Sequence, residues 1–439
     1  MAKLIIKGGI PLKGVVKLAG AKNASFKLMI ASLLCSGETK LLNFSRIADV
    51  DLVKKIIISL GAKAYSAGDR TIFIHPHKLT SSVISQDLGL ASRASSMFIA
   101  PLLIRNKKAV VPLPGGDKIG KRPLDRHFDG LRALGAKIEF KKNTIQASCK
   151  QLIGTKYKFV KNSHTGTETL ITAAVLAKGK TTIINAAQEP EVDDLIKMLN
   201  NMGAKIKRKP NRIIDIQGVK QLNPVTHKVM PDRNEAVSYA IAALVTKGDI
   251  VLENAKKQHL TTFLAKADQA GAGIEIGDYG IRFYYKQPLK AVNITTQPHP
   301  GFMTDWQPLW SVLATQSQGV SKIIETIMSS RFQFAQDLIN MGAKITFFQP
   351  QPKHPDKFYN FNIQDDSPDN FHGMKITGRI RLKGINIKVT DIRAGATLAL
   401  AGLAAKNKTV LNHIHHIDRG YEDFAGRLMK LGADIKRID

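Results

Sequence analysis

The sequence predicts an α/β protein of two similar domains, each built from three copies of one unit near 70 residues long. Three observations lead to this prediction. A motif built around Gly-Ala recurs six times, residues with helical apolar spacing precede each copy, and alternating apolar and polar residues follow it. The chain has 439 residues, and single hydrophobic cores stop growing at roughly 250–300 residues. Two domains are therefore expected.

The six motif copies share one design, a helix that ends at a glycine and is followed by a strand. Segments such as DVDLVKKIIIS and DDLIKMLNN have helical apolar spacing before the glycine. Successive glycines lie 74, 68, 68, 71 and 90 residues apart. The copies are LGAKAY at Gly61, LGAKIE at Gly135, MGAKIK at Gly203, AGAGIE at Gly271, MGAKIT at Gly342 and LGADIK at Gly432.

A second block recurs upstream in each unit. It reads as an Ala- and Leu-rich helix, a break, and a strand rich in Ile, Val and Thr, as in LITAAVLAKGKTTIIN and LALAGLAAKNKTVLNH. Such a helix–strand–helix–strand unit cannot bury both of its faces alone. Three units around one axis can do so with helices inside and sheets outside, and six units then give two domains.

The first helix of every unit begins with polar or charged residues. Helix N-termini attract anions, because their N–H groups are unpaired and carry about half a positive charge. Symmetric repeats would therefore gather six helix starts into an anion-binding cleft. Ordinary N-caps explain the Ser, Thr and Asp members, but cations oppose the helix dipole unless an anion lies between. The starts are Lys22–Asn23, Arg93, Ser163–Thr167, Asp232–Arg233, Thr304–Asp305, and Asp391 with Arg393.

Composition restricts the function classes. The chain has 65 Lys and Arg against 35 Asp and Glu, a net charge of +30, which attracts anions from nucleic acids to small phosphorylated molecules. Cys35 and Cys149 are too few for a disulfide framework or a zinc site, so a reducing compartment fits. The start MAKLIIKGGI has no signal-peptide pattern, and YAIAALV is too short to span a bilayer. We expect a soluble cytoplasmic protein.

The segment GGDKIGKR, which ends at Arg122, differs by one residue from the P-loop pattern G-x-x-x-x-G-K-[ST]. Arg122 stands where a Ser or Thr would bind magnesium. Pro123 disfavours helical angles at Arg122, so we expect the helix to start after the motif with proline in its first turn. Unit two is also about five residues longer here than the other units. We therefore expect an exposed lid loop that carries one acid, Asp117, among Lys118, Lys121 and Arg122.

With these residues the chain resembles the Asp-type members of the UDP-N-acetylglucosamine enolpyruvyl transferase (1-carboxyvinyltransferase) family, relatives of EPSP synthase. The resemblance covers essentially the whole chain, and its motifs are specific in combination. They are LAGAKNA, RASSMFIAPLL, LPGGDKIGKRPLDRH, EPEVDDL, MPDRNEA, TDWQP, TDIRAGATLALAG and HIDRGYED.

The resemblance implies two inside-out α/β barrel (prism) domains, each of three repeated βαβαββ-like units. One domain would be discontinuous, residues 1–21 plus 232–439, with the N-terminal strand packed in the C-terminal half. The other would be residues 22–231 with the 112–122 lid loop, and the active site would lie in the interdomain cleft.

The resemblance also implies an activity, transfer of the enolpyruvyl group of phosphoenolpyruvate to the 3-hydroxyl of UDP-N-acetylglucosamine with release of phosphate. This is the first committed step of peptidoglycan synthesis, and so serves cell wall formation, cell shape and cell division. It implies no metal or other cofactor, no nucleic-acid or membrane partner, and a monomer.

Site residues follow from the resemblance position by position. Lys22, Arg122 and Arg419 are expected to bind the phosphate and carboxylate of phosphoenolpyruvate, since three cations suit a trianionic ligand. The addition needs an acid and a base on separate groups. Asp117 is the expected acid, and Asp305 is expected to orient or deprotonate the sugar hydroxyl. We expect the catalytic residues to be Lys22, Asp117, Asp305 and Arg419.

A larger set is expected to bind substrate around these four. The residues implied to hold the UDP-sugar are Asn23, Arg93, Arg122, Pro123, Leu124, Asp125, Arg126, Lys161, Asn162, Ser163, His164 and the backbone of Ile327. Those implied to line the reacting centre are Arg331, Asp391 and Arg393, supported by Asp232 and Glu189.

The chain departs from the family pattern at several positions. Most members carry Cys at the position of Asp117, where fosfomycin alkylates the thiol, so we expect this chain to resist that drug. KNSHTGTE around His164 replaces the commoner Ser-Val-Gly-Ala-Thr, MSSRF lacks an acidic pair before Arg331, and Met97 replaces a common Trp.

The sequence is also compatible with two other functions. One is 3-phosphoshikimate 1-carboxyvinyltransferase, whose first motif has Ser where this chain has Asn23. The other is a nucleic-acid-binding repeat protein, suggested by the charge alone.

Other conspicuous residues have ordinary structural interpretations. His413 and His415 alternate on one predicted strand face with His416 beside them, but no Cys or carboxylate has ligand spacing with them, so no metal site is expected. We expect Trp306 and Trp310 to pack on a helix face.

The spacer in the 347–377 region, behind the 90-residue interval, is expected to be a surface insertion with a hairpin. Its adjacent carboxylates, Asp365 and Asp366, are expected to be solvated.

Overall fold

Helices and short strands alternate along the chain in the computed structural model, which describes residues 2–115 and 120–439. The helices are α1 Lys22–Ala31, α2 Ala48–Ser59, α3 Gln86–Ala91, α4 Ile99–Asn106, α5 Asp125–Ala133, α6 His164–Ala174, α7 Pro190–Asn201, α8 Arg233–Val245, α9 Thr261–Gln269, α10 Gln307–Gln316, α11 Phe334–Asn340, α12 Pro355–Phe358, α13 Ile392–Ala404, α14 His415–Asp418 and α15 Phe424–Lys430. The strands are β1 Lys3–Lys7, β2 Lys13–Lys17, β3 Thr39–Leu42, β4 Lys63–Ser66, β5 Thr71–His75, β6 Lys108–Pro112, β7 Lys137–Lys141, β8 Thr144–Ser148, β9 Lys156–Lys158, β10 Lys180–Ile184, β11 Lys205–Lys209, β12 Ile213–Gln217, β13 Thr226–Lys228, β14 Asp249–Glu253, β15 Gly273–Gly277, β16 Gly280–Tyr284, β17 Ile294–Thr295, β18 Gly319–Ile324, β19 Lys344–Phe348, β20 Gly373–Gly378, β21 Asn386–Lys388, β22 Lys408–Asn412 and β23 Asp434–Ile438.

All six Gly-Ala motifs have the helix end that the sequence predicts. Their glycines have φ between +87° and +102°, a region that favours glycine because it has no Cβ. At Gly61 the N–H donates to the carbonyl of Ile58, and the N–H of Ala62 donates to the carbonyl of Ile57, which is the Schellman arrangement. A strand begins two residues after each glycine. The helix–glycine–strand prediction is confirmed at all six sites.

Strand pairing gives each repeat its own sheet. The hairpin that follows a motif glycine is antiparallel, as in β4 and β5, where Lys63 pairs with His75. The first strand of the chain, β1, pairs with β22 and β23 near the C-terminus, with Lys3 opposite both Asn412 and Ile438. Within the described residues the strand orders are β13-β3-β5-β4, β6-β8-β7, β11-β12-β10-β9, β15-β16-β14-β2, β17-β18-β20-β19 and β21-β22-β1-β23.

The described residues separate into two compact units. The first unit contains those of Met1–Ala19, Asp117–Arg122 and Pro231–Asp439, and the second contains those of Gly20–Gly116 and Pro123–Met230. Residues 120–122 thus belong with the first unit, whereas the sequence-based expectation put the whole 112–122 loop in the other domain. Each unit has three of the sheets and its own apolar core.

Helices form the centre of the first unit. The helices α8, α10 and α13 pack on one another, and all 13 residues of α8 are buried. Strands such as β14 bury alternate residues, so one face of the sheet covers the helices. Trp306 and Trp310 are 1% and 0% exposed and pack edge-on against Phe263 and Phe302. The inside-out arrangement and the packing role of both tryptophans are confirmed.

Two local predictions are wrong. Helix α5 begins at Asp125, so Pro123 precedes the helix rather than lying in its first turn. His413 follows β22 in a left-handed conformation with φ +59°, and His415 begins α14. The two histidines therefore do not share a strand face, because the strand ends before both.

The insertion lies in the hairpin between β19 and β20, where Phe348 pairs with Gly373. Its Asp366 is not solvated as predicted. Oδ2 of Asp366 lies 2.6 Å from Nε2 of His372, Oδ1 accepts a hydrogen bond from Asn370, and the side chain is 19% exposed. No helix among the described residues has the length and apolar character needed to cross a bilayer.

Candidate active site

Asp305 lies in the turn before α10, and arginines pair with both of its oxygens. Oδ1 accepts a hydrogen bond from Nη2 of Arg331 at 2.9 Å, and Oδ2 accepts one from Nη2 of Arg393 at 3.2 Å. The arginine side chains are 2% and 8% exposed, whereas that of Asp305 is 24% exposed. The two arginines therefore fix the orientation of the Asp305 carboxylate, which stays partly exposed to solvent.

Arg393 is held in place by a chain of hydroxyl groups. Its Nη1 donates to the hydroxyl of Tyr421 at 2.9 Å, and that hydroxyl lies 2.8 Å from Oγ of Ser238. Because Oγ of Ser238 already donates to the carbonyl of Asn234, the tyrosine is the donor to serine. Asp391 accepts the N–H of Arg393 at 2.8 Å and so caps α13.

Asp232 has the same capping role at α8, where its Oδ1 accepts N–H groups of the first turn at 2.6 and 3.1 Å. Arg419 directly follows α14, and the next residue, Gly420, packs on Ile392 at the start of α13. A Cβ at Gly420 would lie 2.5 Å from Cγ2 of Ile392. The chain therefore brings Arg419 next to the helix start that carries Arg393.

Gly120, at the end of the predicted lid loop, lies against the segment before Arg331, within the first unit. Gly120 has φ +103°, and a Cβ there would lie 2.4 Å from Oγ of Ser329. Nζ of Lys121 lies 4.0 Å from Oδ1 of Asp365 in the insertion. The absence of a Cβ at Gly120 thus leaves room for the Ser329 side chain. Asp117 and Lys118 lie outside the described residues.

In the second unit, Lys22 begins α1 and pairs with Asp49 of α2, whose Oδ2 lies 3.0 Å from its Nζ. Asp49 supplies a negative charge beside Lys22 and Asp305 supplies one beside Arg393, so neither cation by itself requires a bound anion at its helix start. Asp232, Asp391 and Ser163 cap their helices as ordinary N-caps.

His164, the residue that departs from the family pattern, belongs to a charged cluster. Lys27 and Glu168 form a buried ion pair between Nζ and Oε2. Nε2 of His164 lies 3.1 Å from Nζ of Lys27 and 3.3 Å from Oε1 of Glu168. Burial lowers the pKa of His164, but the nearby Glu168 carboxylate counteracts this and the net pKa is raised. The imidazole is 21% exposed in the first turn of α6.

A second histidine joins this cluster to the predicted arginines. Nε2 of His127 lies 2.8 Å from Oγ1 of Thr165. Burial lowers the pKa of His127 to about 3, helped by the charges of Arg93, Arg126 and Lys27. Nη1 of Arg126 also donates to the carbonyl of Asn162 at 3.0 Å. The second unit thus brings Arg93, Arg126, Asn162 and His164 together in a cation-rich region.

The other predicted residues have simpler positions. Glu189 precedes α7, where its charge raises the pKa of His164 and opposes the lowering of the Arg212 pKa by burial. Asn23 lies in the first turn of α1, and Asp125 is the first residue of α5. Pro123 and Leu124 precede α5, and Lys161 precedes α6. No group of three or more His, Cys, Asp or Glu side chains in 2–115 and 120–439 is arranged to hold a metal ion.

Sequence reasoning missed several residues that hold the predicted ones. Glu168 follows His164 by one helical turn, a spacing that indicates contact. Glu325 in IIETI is a charge at the end of an apolar strand, a pattern that indicates a buried, hydrogen-bonded group. Lys27, Asp49 and Tyr421 gave no local signal, because their partners are distant in sequence.

The chain is similar to known proteins along almost its whole length. The family described as EPSP synthase (3-phosphoshikimate 1-carboxyvinyltransferase) matches residues 6–428. A UDP-N-acetylglucosamine 1-carboxyvinyltransferase of Sorangium cellulosum is 38% identical over 100% of this chain and 99% of that protein. One of Corynebacterium jeikeium is 40% identical over 99% of this chain and 98% of that protein.

Solved structures share the fold. The enolpyruvyl transferase NikO from Streptomyces tendae has a TM-score of 0.86 at 22% identity, over 99% of this chain and 98% of that one. EPSP synthase from Acinetobacter baumannii has a TM-score of 0.73 at 18% identity, over 100% of both chains. The chain belongs to the EPSP synthase family of carboxyvinyl transferases and, within it, to the UDP-N-acetylglucosamine 1-carboxyvinyltransferases.

Proposed function

We propose that this protein transfers the enolpyruvyl group of phosphoenolpyruvate to the 3-hydroxyl of UDP-N-acetylglucosamine and releases phosphate. The observation that carries the choice of acceptor is 38–40% identity, along almost the entire chain, to relatives that bear that name. The solved EPSP synthase is 18% identical. This difference favours the UDP-sugar over shikimate 3-phosphate as acceptor.

The reaction is an addition followed by an elimination. The sugar oxygen bonds to C2 of phosphoenolpyruvate while C3 takes a proton, which gives a tetrahedral ketal. The C2–O bond to phosphate then breaks, phosphate leaves, and C3 returns a proton to the Asp117 carboxylate, which leaves the enolpyruvyl ether. Acid and base must be separate groups in this sequence. In this proposal Asp117 gives the proton to C3. Asp305 either takes the proton of the sugar 3-hydroxyl or orients that hydroxyl.

The first unit contributes the groups that surround the reacting carbon. The pairing of Asp305 with Arg331 and Arg393 supports this role, because a carboxylate held from both sides keeps one orientation. We assign Arg122, Arg419 beside the start of α13, and Lys22 to the carboxylate and phosphate of phosphoenolpyruvate.

The second unit contributes the residues that hold the UDP-sugar. The convergence of Arg93, Arg126, Asn162 and His164 supports this assignment, because a diphosphate needs several cations and N–H donors. The other residues proposed for the UDP-sugar are Asn23, Pro123, Leu124, Asp125, Lys161, Ser163 and the backbone of Ile327. Asp232, at the start of α8, is proposed to support the residues around the reacting carbon. Glu189, just before α7, is proposed to support the residues that hold the UDP-sugar.

The product enters peptidoglycan synthesis in this proposal, so that the protein serves cell wall formation in the cytoplasm as a monomer. The test is phosphate release on incubation with phosphoenolpyruvate and one acceptor at a time. Release with UDP-N-acetylglucosamine and none with shikimate 3-phosphate is expected. Release with shikimate 3-phosphate alone would refute the proposal.

A further inference from the structure

Glu325 is a carboxylate in the first unit that the proposed chemistry leaves unused. It follows the last residue of β18 and is 1% exposed. Burying an ionisable side chain costs several kcal/mol unless hydrogen bonds compensate. The partners of Glu325 therefore indicate which segments its hydrogen bonds hold.

Four donors converge on this carboxylate. Oε1 accepts the N–H groups of Ile327 at 2.7 Å and Met328 at 3.0 Å, and the hydroxyl of Thr296 at 2.9 Å. Oε2 accepts the hydroxyl of Thr304 at 3.0 Å. The carboxylate therefore bridges two chain segments, the loop that begins at Ile327 and the turn at Thr304.

Both segments lead to residues of the proposed site. Thr304 directly precedes Asp305, and the loop from Ile327 continues to Arg331. The 2.9 Å bond between Asp305 and Arg331 joins the far ends of the two segments. Glu325 thus closes a ring that runs through the turn, the ion pair and the loop. The backbone of Ile327 and the carboxylate of Asp305 are fixed relative to each other by this ring.

We propose that Glu325 is a positioning residue that sets the place of Asp305 and of the Ile327 backbone for the sugar substrate. This inference rests on the proposed function. Glu325 touches neither substrate and acts only through the residues it holds. Burial raises the pKa of Glu325, while the N–H donors and the charge of Arg331 lower it, and the net pKa is raised.

A conservative pair of substitutions separates positioning from stability. Thr304→Val removes the hydroxyl that joins Glu325 to the Asp305 turn and keeps the shape, whereas Thr304→Ser keeps the hydroxyl. A small displacement of a reacting group costs up to roughly 100-fold in rate. We expect Thr304→Val to lower kcat about tenfold or more while KM for phosphoenolpyruvate stays within about twofold, and Thr304→Ser to restore kcat.

Glu325→Gln extends the test to the carboxylate itself. The amide oxygen can still accept the two backbone N–H groups, but the second oxygen is replaced by a donor. A lower kcat is expected with an unfolding midpoint near that of the unsubstituted chain. Thr262→Val is the matched control, because the Thr262 hydroxyl donates to the carbonyl of Pro300 on the exposed surface of the same unit. Its kcat should not change.

The outcomes separate the two proposals. If the unsubstituted protein releases phosphate with UDP-N-acetylglucosamine but Thr304→Val and Glu325→Gln keep full kcat, the positioning role is wrong and the function stands. If both variants lose activity only in proportion to lost folded protein, the role is structural and the inference also fails. An unsubstituted protein without activity refutes the function first, and the inference with it.

Discussion

Lys27 and Glu168 form an ion pair in the core of the second unit, with side chains that are 2% and 0% exposed. The pair joins α1 to α6 and lies against His164. A charge in such a place is tolerated only while its partner is present, because desolvation removes the stabilisation that water would give.

Lys27→Met is therefore expected to destabilise the fold strongly. Breaking a buried pair costs about 3–5 kcal/mol, since one uncompensated charge remains. The free energy of unfolding in urea measures the effect. Lys27→Met combined with Glu168→Leu should recover most of the loss. Lys7→Met is the control, because its pair with Asp434 is exposed and such pairs contribute about 0–1 kcal/mol. An equal cost for both single variants would contradict the interpretation.

His127 is expected to make the fold acid-sensitive. Its pKa is lowered to about 3 by burial and neighbouring cations, from an ordinary value of 6.5. The unfolded chain therefore takes up a proton below pH 6.5 that the folded chain does not. This lowers stability as the pH falls, by about 2 kcal/mol at pH 5, and has no effect above pH 7.

His127→Gln removes this proton uptake. When the pH falls from 8 to 5, the free energy of unfolding of the variant should rise by about 2 kcal/mol relative to that of the unsubstituted chain. Urea unfolding at both pH values gives the difference. His415→Gln, at an exposed position, should show no such gain. A constant difference between the His127 variant and the unsubstituted chain across this range would show that His127 keeps an ordinary pKa.

Asp117 is expected to make the enzyme insensitive to fosfomycin, because a carboxylate lacks the thiol that the drug alkylates. Asp117→Cys should keep activity and become irreversibly inhibited, with one drug adduct detectable by mass spectrometry of the intact chain. The unsubstituted protein supplies the control. An adduct on the unsubstituted protein would refute the prediction.

Gly120→Ala is expected to disturb the docking of the lid loop. A Cβ there would lie 2.4 Å from Oγ of Ser329 and 3.0 Å from the Ser330 nitrogen. We expect kcat to fall about tenfold, because a displaced loop would move Arg122 and Asp117 out of position. Adding Ser329→Gly should restore part of the loss. Gly9→Ala, with φ +90° and no atom within 4 Å of its Cβ, controls for backbone strain alone.

Local patterns in the sequence predicted much of the fold. The six glycine helix ends depend on residues within one or two turns, so each copy could be recognised without knowledge of its neighbours. The burial of Trp306 and Trp310 followed from helical spacing in the same way. The strand face assigned to His413 and His415 failed, because a left-handed residue ends the strand at that point.

The site was predictable in its residue types and not in its contacts. Asp49, which pairs with Lys22, and Tyr421, which holds Arg393, lie on other helices or loops, and pairs of this kind form only after folding. Asp366 was expected in solvent because its segment is polar, but His372 and Asn370 bind it. The bridging role of Glu325 likewise depends on segments that meet only in the folded unit.

The most direct test of the proposed function is the mass of the product. The protein is incubated with phosphoenolpyruvate and UDP-N-acetylglucosamine, and the sugar nucleotide is analysed by mass spectrometry alongside the released phosphate. We expect a sugar nucleotide that is heavier by one carboxyvinyl group, formed in equal amount to phosphate. Release of phosphate with an unchanged sugar nucleotide would contradict it.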